Sequence, residues 1–229
     1  MTDSNQKEKA TLFRSLHAGS SILVLPNAWD VASAAIFEQV GFAAIATTSS
    51  GVAVSLGYAD GQQISQNLLI ESTARIVRVV ACPVTVDIEA GYGEEIEEVL
   101  QTVKAIIEVG AVGINIEDSR KGEDAALVDM EFQVELMQAI RQLGTTMGVP
   151  LVINARTDVF LLGRDNPASH LDEAVRRANA YRQAGADCLF PIGVSDADII
   201  ARLVQAIHGP INILASPATL SIPTLCASC

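Results

Sequence analysis

Positive charge is scarce in this chain: 15 lysines and arginines stand against 27 aspartates and glutamates, a formal charge of -12. Such a balance repels phosphate backbones and argues against a nucleic-acid partner. Long apolar runs are missing too. None approaches the roughly 18 residues a membrane span needs, and the opening "MTDSNQKEKA" lacks the hydrophobic core of a signal peptide. The expectation is a cytoplasmic protein with no membrane partner. Cysteine is sparse. Cys82 and Cys188 sit at the entries of expected strands and read as small buried hydrophobes. Cys226 and Cys229 form a C-x-x-C, but without the second pair or thioredoxin-like context that would make it a metal or redox site. No G-x-S-x-G, P-loop or dinucleotide fingerprint occurs, which speaks against common hydrolase, kinase and dehydrogenase classes. No linker rich in Pro, Gly or Ser divides the chain, so residues 1–229 are expected to form one domain.

What is present is a strand-then-helix alternation with a period of roughly 30 residues, the mark of a parallel sheet with crossover helices. Seven strands are expected, at 21–27, 43–49, 83–89, 112–118, 150–156, 188–194 and 211–216. Helical spacing of apolar residues marks stretches such as "DVASAAIFEQV", "EEIEEVLQTVKAIIEV", "MEFQVELMQAIRQL" and "LDEAVRRANAYRQA". Gly41, Gly110, Gly144 and Gly185 read as helix ends. An open doubly wound sheet is one architecture with this grammar. A (β/α)8 TIM-type barrel, which uses about 250 residues, is preferred because polar residues gather at the ends of five strands, as a ring-shaped site requires. The 49–63 stretch "SSGVAVSLGYADGQQ" reads as a non-periodic loop with room to fold over that site.

The third strand stops on "VDIEAGYG", where alternation places Asp87 and Glu89 on one face at the barrel mouth. Two carboxylates sharing a small space need a cation or a proton between them. The fourth strand delivers Glu117 and Asp118 at the same height, and the loop after the second strand adds Asp60. An all-oxygen set with no nearby His or Cys suits Mg²⁺, or Mn²⁺, better than zinc. A helix-cap or rim role remains the plainer alternative for any single acid. The fifth strand ends "INARTD", setting Asn154, Arg156 and Asp158 on one face. There Arg156 can grip a carboxylate or phosphonate, or neutralise Glu117 or Asp118. In "TTSSG", amides and hydroxyls can meet an anionic oxygen, with Gly51 allowing close approach. His17, His170 and His208 fall away from strand ends.

Taken in order, "LPNAWDVASA", "SSGVAVSLGYAD", "VDIEAGYG", "GINIEDS" and "NARTD" resemble the isocitrate lyase and phosphoenolpyruvate mutase superfamily. The resemblance implies Mg²⁺-dependent making or breaking of C–C or P–C bonds in small 2-oxo or 2-hydroxy (di)carboxylates, through a metal-stabilised enolate. By resemblance, Asp87 is the direct metal ligand, and Glu89 and Glu117 hold metal-bound waters. Asp60 is the further acid near the metal, expected to be catalytic together with Arg156. Ser50, Gly51, Asn154, Arg156 and Ser216 are the expected substrate-binding set. A C–C lyase or decarboxylase is the first expectation. A phosphonate mutase or hydrolase, or an inactive truncated remnant, is the alternative.

Three features depart from the family pattern. The segment "EDSRKGEDAALVDMEF" contains neither cysteine nor histidine, where lyases of the family carry K-[KR]-C-G-H. Ile192 occupies a sixth-strand position where better-known members place Glu or His. The chain ends "ATLSIPTLCASC" without an eighth strand, so the expectation is a barrel lacking that strand and the C-terminal helix, shortened from a longer protein. Relatives exchange that helix between subunits, so a homo-oligomer is the family's expectation.

Overall fold

A computed structural model describes residues 4–19, 21–120, 125–163, 167–217, 219, 221–222 and 224. Helix α1 (Ser4–His17) is followed by strand β1 (Asn27–Ala28), α2 (Val31–Val40), β2 (Ile45–Thr47), α3 (Ser49–Ser55), α4 (Gln66–Val79), β3 (Val84–Asp87) and α5 (Ile96–Glu108). Then come β4 (Gly113–Glu117), α6 (Met130–Thr146), β5 (Val152–Thr157), α7 (Val159–Leu162), a 3₁₀ turn (Pro167–His170), α8 (Leu171–Gln183), β6 (Cys188–Pro191) and α9 (Ala197–Ala206). The six strands pair in parallel in chain order. The α/β class and barrel-type alternation follow the sequence; closure does not, and the sheet is open.

Parallel strands covered on both faces must be apolar along their length, and these are. Val84, Val86, Ile114, Ile116, Val152, Ile153 and Leu189 are all buried. Against them pack Val103 and Ile106 of α5, Leu136 and Ile140 of α6, and Ala174 and Ala178 of α8. Each fully buried aliphatic side chain of this size contributes about 1.5–3 kcal/mol. Helix α1 ties to the N-terminal ends of the strands. Its Gln6 Nε2 donates to the Ile107 and Ala111 carbonyls at 2.7 and 3.0 Å, and Arg14 pairs with Asp187. That end is closed by structural contacts, leaving chemistry to the C-terminal ends.

Four expectations about elements are corrected. The first strand shrinks to two residues, because Pro26 has no N–H to offer a ladder and, among the described residues, β1 pairs on one side only, with β2. The seventh, expected at 211–216, is reduced to a parallel bridge between Leu189 and Ile211. Only the Leu189 and Asn212 amides hold it, and no strand among the described residues lies beyond it. The 49–63 stretch is not all loop: Thr48 caps α3, accepting from the Gly51 amide at 3.3 Å. Gly144 lies inside α6 rather than past its end. A Cβ there would meet the Val149 carbonyl oxygen at 3.0 Å, so the residue serves close helix-to-strand packing.

Among the described residues, no helix is long and apolar enough to cross a membrane. Cys188 is buried in β6 and Cys82 is half-buried; Cys226 and Cys229 lie outside the described residues.

Candidate active site at the strand ends

Register builds the site. Asp87 pairs with Asn115, and Asn115 with Asn154, so three polar side chains line up across β3, β4 and β5. Asp87 Oδ1 accepts from Asn115 Nδ2 at 2.9 Å, and Asn115 Oδ1 accepts from Asn154 Nδ2 at 2.8 Å. Asp87 Oδ2 accepts from the Ser49 hydroxyl at 2.6 Å and the Ser49 amide at 3.1 Å. At the far end of the row, Asn154 Oδ1 is buried with no hydrogen-bond partner among the described residues.

Glu89 reaches the mouth by a different route from the one alternation implies. Strand β3 ends at Asp87, and Glu89 takes a left-handed backbone (φ 51°), a conformation costing about 1 kcal/mol in a non-glycine residue. Its carbonyl still accepts from the Glu117 amide at 3.0 Å, so the backbone stays in register with β4. The side chain is buried, its Oε2 accepting from the Gln62 amide at 2.8 Å and its Oε1 from the Tyr92 hydroxyl at 3.4 Å. The next turn depends on Gly91: φ is 102°, and an added Cβ would lie 2.5 Å from Val99 Cγ1.

Arg156 ion-pairs with Asp158 and Glu117 beside this set. Its Nε and Nη2 grip the two oxygens of Asp158 at 2.6 and 3.1 Å, and its Nη1 lies 2.9 Å from Glu117 Oε2. Asp158 also accepts from the Ser119 hydroxyl at 2.6 Å. Burial works against the guanidinium charge, but Glu117, Asp158 and Asp87 outweigh it, and the net shift is upward. Burial, followed by the charges of Glu89, Asp87 and Asp60, drives the Tyr92 phenol pKa up.

Asp118 does not join them. It is fully buried on the opposite side of β4, accepting from Thr157 (2.8 Å), Tyr181 (2.7 Å) and Arg177 (3.2 Å). Strand alternation separates it from Glu117 and makes it a structural tie to α8. Arg156 therefore neutralises Glu117, and Arg177 neutralises Asp118. Asp60 sits on an exposed loop, its Oδ1 accepting from the Gly61 amide. Ser216 lies in an exposed turn with Thr219, outside the row. Ser50 and Gly51 belong to the first turn of α3, and the close approach at Gly51 is made by the chain itself. A Cβ there would stand 2.6 Å from Thr48 Cγ2 and 3.0 Å from Trp29 Cβ.

Sequence reading missed Asn115, Ser49, Gln62 and Tyr92. Asn115 carried a usable signal, two positions before Glu117 on the same strand face. Among the described residues, no three His, Cys, Asp or Glu side chains stand close enough to ligate one ion directly. A surface cavity of about 440 Å³ lies elsewhere, lined by Leu127–Glu131, Arg176 and Arg177.

The fold is an α/β parallel sheet with a row of polar residues at its strand ends, and comparison with known proteins gives its lineage. A family model described as phosphoenolpyruvate phosphomutase matches residues 13–228. An uncharacterised protein of Mycobacterium tuberculosis is 36% identical over 207 residues, covering 90% of this chain and 74% of that protein. The 2-methylisocitrate lyase of Halalkalibacterium halodurans is 30% identical over 213 residues, covering 90% and 67%. A Burkholderia cenocepacia structure assigned provisionally as a phosphonomutase superposes with a TM-score of 0.91 at 38% identity, covering 97% of this chain and 89% of that one. This chain belongs to the phosphoenolpyruvate mutase and isocitrate lyase superfamily.

Proposed function

We propose that the protein is a Mg²⁺-dependent carbon–carbon lyase or decarboxylase acting on a small 2-oxo or 2-hydroxy (di)carboxylate. The observation that supports it most is the gathering of carboxylates at the mouth: Glu117 and Asp158 pair with Arg156, whose guanidinium also feels the charge of Asp87, and the Glu89 amide donates to Asp87 Oδ1 at 3.3 Å. A hard divalent cation fits such an all-oxygen set. Asp87, half-buried and at the end of β3, is the side chain that would touch it. Glu89 and Glu117 would act through intervening water. Mn²⁺ would substitute.

Bound there, magnesium would supply the Lewis acidity that polarises a carbonyl beside the scissile bond. The chain's own groups do the rest. Three of the five N–H groups of Arg156 face Asp158 and Glu117, leaving two for a substrate carboxylate. Held flat in this way, the guanidinium is prepared for charge that develops on the substrate oxygen. The Ser50 amide at the start of α3, beside Gly51, orients a second oxygen. Asn154 Oδ1 accepts a hydrogen bond from a 2-hydroxyl group, which would satisfy its buried lone pairs. Asp60 stays in this reading as the loop acid.

The likeness to the Burkholderia structure favours a second reading, P–C bond chemistry at the same mouth. Assays for pyruvate release from oxaloacetate and malate derivatives, set against phosphate release from phosphonopyruvate, separate the two. Pyruvate release abolished by EDTA and by Asp87→Ala supports the lyase. Release that survives both removes the cation from the mechanism.

A further inference from the structure

Among the described residues, three non-glycine side chains carry a left-handed backbone: Gln62 (φ 58°), Glu89 (φ 51°) and Tyr92 (φ 61°). All three belong to one ring of hydrogen bonds. The Gln62 amide donates to Glu89 Oε2 at 2.8 Å, the Tyr92 amide to Gln62 Oε1 at 3.1 Å, and the Tyr92 hydroxyl to Glu89 Oε1 at 3.4 Å. Strained backbone persists where surrounding contacts over-determine it, and it clusters at sites where geometry matters. Glycine at position 62 would take the same backbone freely but would lose the Oε1 acceptor.

The donors are as informative as the strain. They are spread over both oxygens of Glu89, an amide on Oε2 and a phenol on Oε1, and donors placed in this way orient a carboxylate.

We propose that Gln62 and Tyr92 are positioning residues that fix the Glu89 carboxylate at the mouth and fasten the 57–65 loop, with Asp60, to it. The role toward a cation rests on the reading given under Proposed function; the fastening of the loop does not.

The test compares wild type, Gln62→Gly and Tyr92→Phe by calorimetric titration with Mn²⁺, hydrogen exchange over 57–65 and thermal melting. Gln62→Gly relieves the strained backbone while deleting the acceptor, and Tyr92→Phe removes one hydroxyl. Both are expected to weaken Mn²⁺ binding on the order of tenfold. Exchange over 57–65 accelerates and the melting temperature holds. Wild-type affinity and wild-type exchange in both variants overturn the proposal. So does a lowered melting temperature with unchanged affinity, the signature of a purely structural role. If wild type itself binds no Mn²⁺, the cation reading fails and exchange alone decides: acceleration supports the fastening, and no change overturns it.

Discussion

Asn115 Nδ2 stands 2.9 Å from Asp87 Oδ1, and a carboxylate can only accept, so this one contact sets the direction of the whole polar row. With its amide committed to Asp87, Asn115 must present its carbonyl oxygen to Asn154. Asn154 in turn must donate. Its own oxygen is thereby left at the buried end, which ties the strand register to the substrate reading.

Asn115→Leu should therefore cost more than one hydrogen bond. It strips Asp87 Oδ1 of its side-chain donor and leaves the Asn154 amide unpaired. A loss of about 1–3 kcal/mol is expected in urea unfolding. Asn115→Asp should lower stability at pH 7 more than at pH 4, since it sets a second carboxylate against Asp87.

Arg177 and Asp118 form a second, independent test. Arg177→Met leaves Asp118 buried without its cation, with an expected loss of about 3–5 kcal/mol in chemical denaturation. Adding Asp118→Asn should recover part of it. Because this pair lies on the helix side of β4, residual folded protein should keep its affinity for Mn²⁺.

Gly91→Ala should destabilise by about 1–3 kcal/mol, from the strained φ and the overlap with Val99. Circular dichroism melting checks it, and a neutral result would mean that the turn after β3 tolerates a side chain.

Thiol chemistry gives a pH-dependent test. Burial first, then Glu38, pushes Cys82 up to about 11; burial pushes Cys188 up to about 12. In a Cys226→Ser/Cys229→Ser variant, the native protein at pH 8 should react with a disulfide reagent far more slowly than the unfolded chain. The thiol of Cys188 is held protonated in the fold. The stability it contributes is full below the ordinary value of 9.0 and is lost as pH rises toward about 12. The destabilisation caused by Cys188→Ala should accordingly be larger at pH 7.5 than at pH 10.5.

Strands β3 to β5 were legible because buried parallel strands are continuous apolar runs, and their polar ends exposed Asp87, Glu117 and Arg156 as site candidates. The edges were not legible. Whether 21–27 or 211–216 pairs depends on a neighbour, and no local pattern reports one. Glu89 was found for an incomplete reason: alternation pointed to it, yet a left-handed turn delivers it. Asp118 was grouped with Glu117 although alternation itself sends it to the helices. Ser49, Gln62 and Tyr92 were hidden because their roles arise from contacts with residues on other elements. The Gln62 amide meets Glu89, and the Ser49 hydroxyl meets Asp87, only once the chain is folded.

The most direct test is a calorimetric titration of Mg²⁺ in the presence of oxalate, which mimics an enolate of pyruvate, comparing wild type with Asp87→Ala. One saturable site in wild type, lost in the variant, is the predicted result. No heat in wild type, or equal binding by both proteins, would contradict a cation held at Asp87.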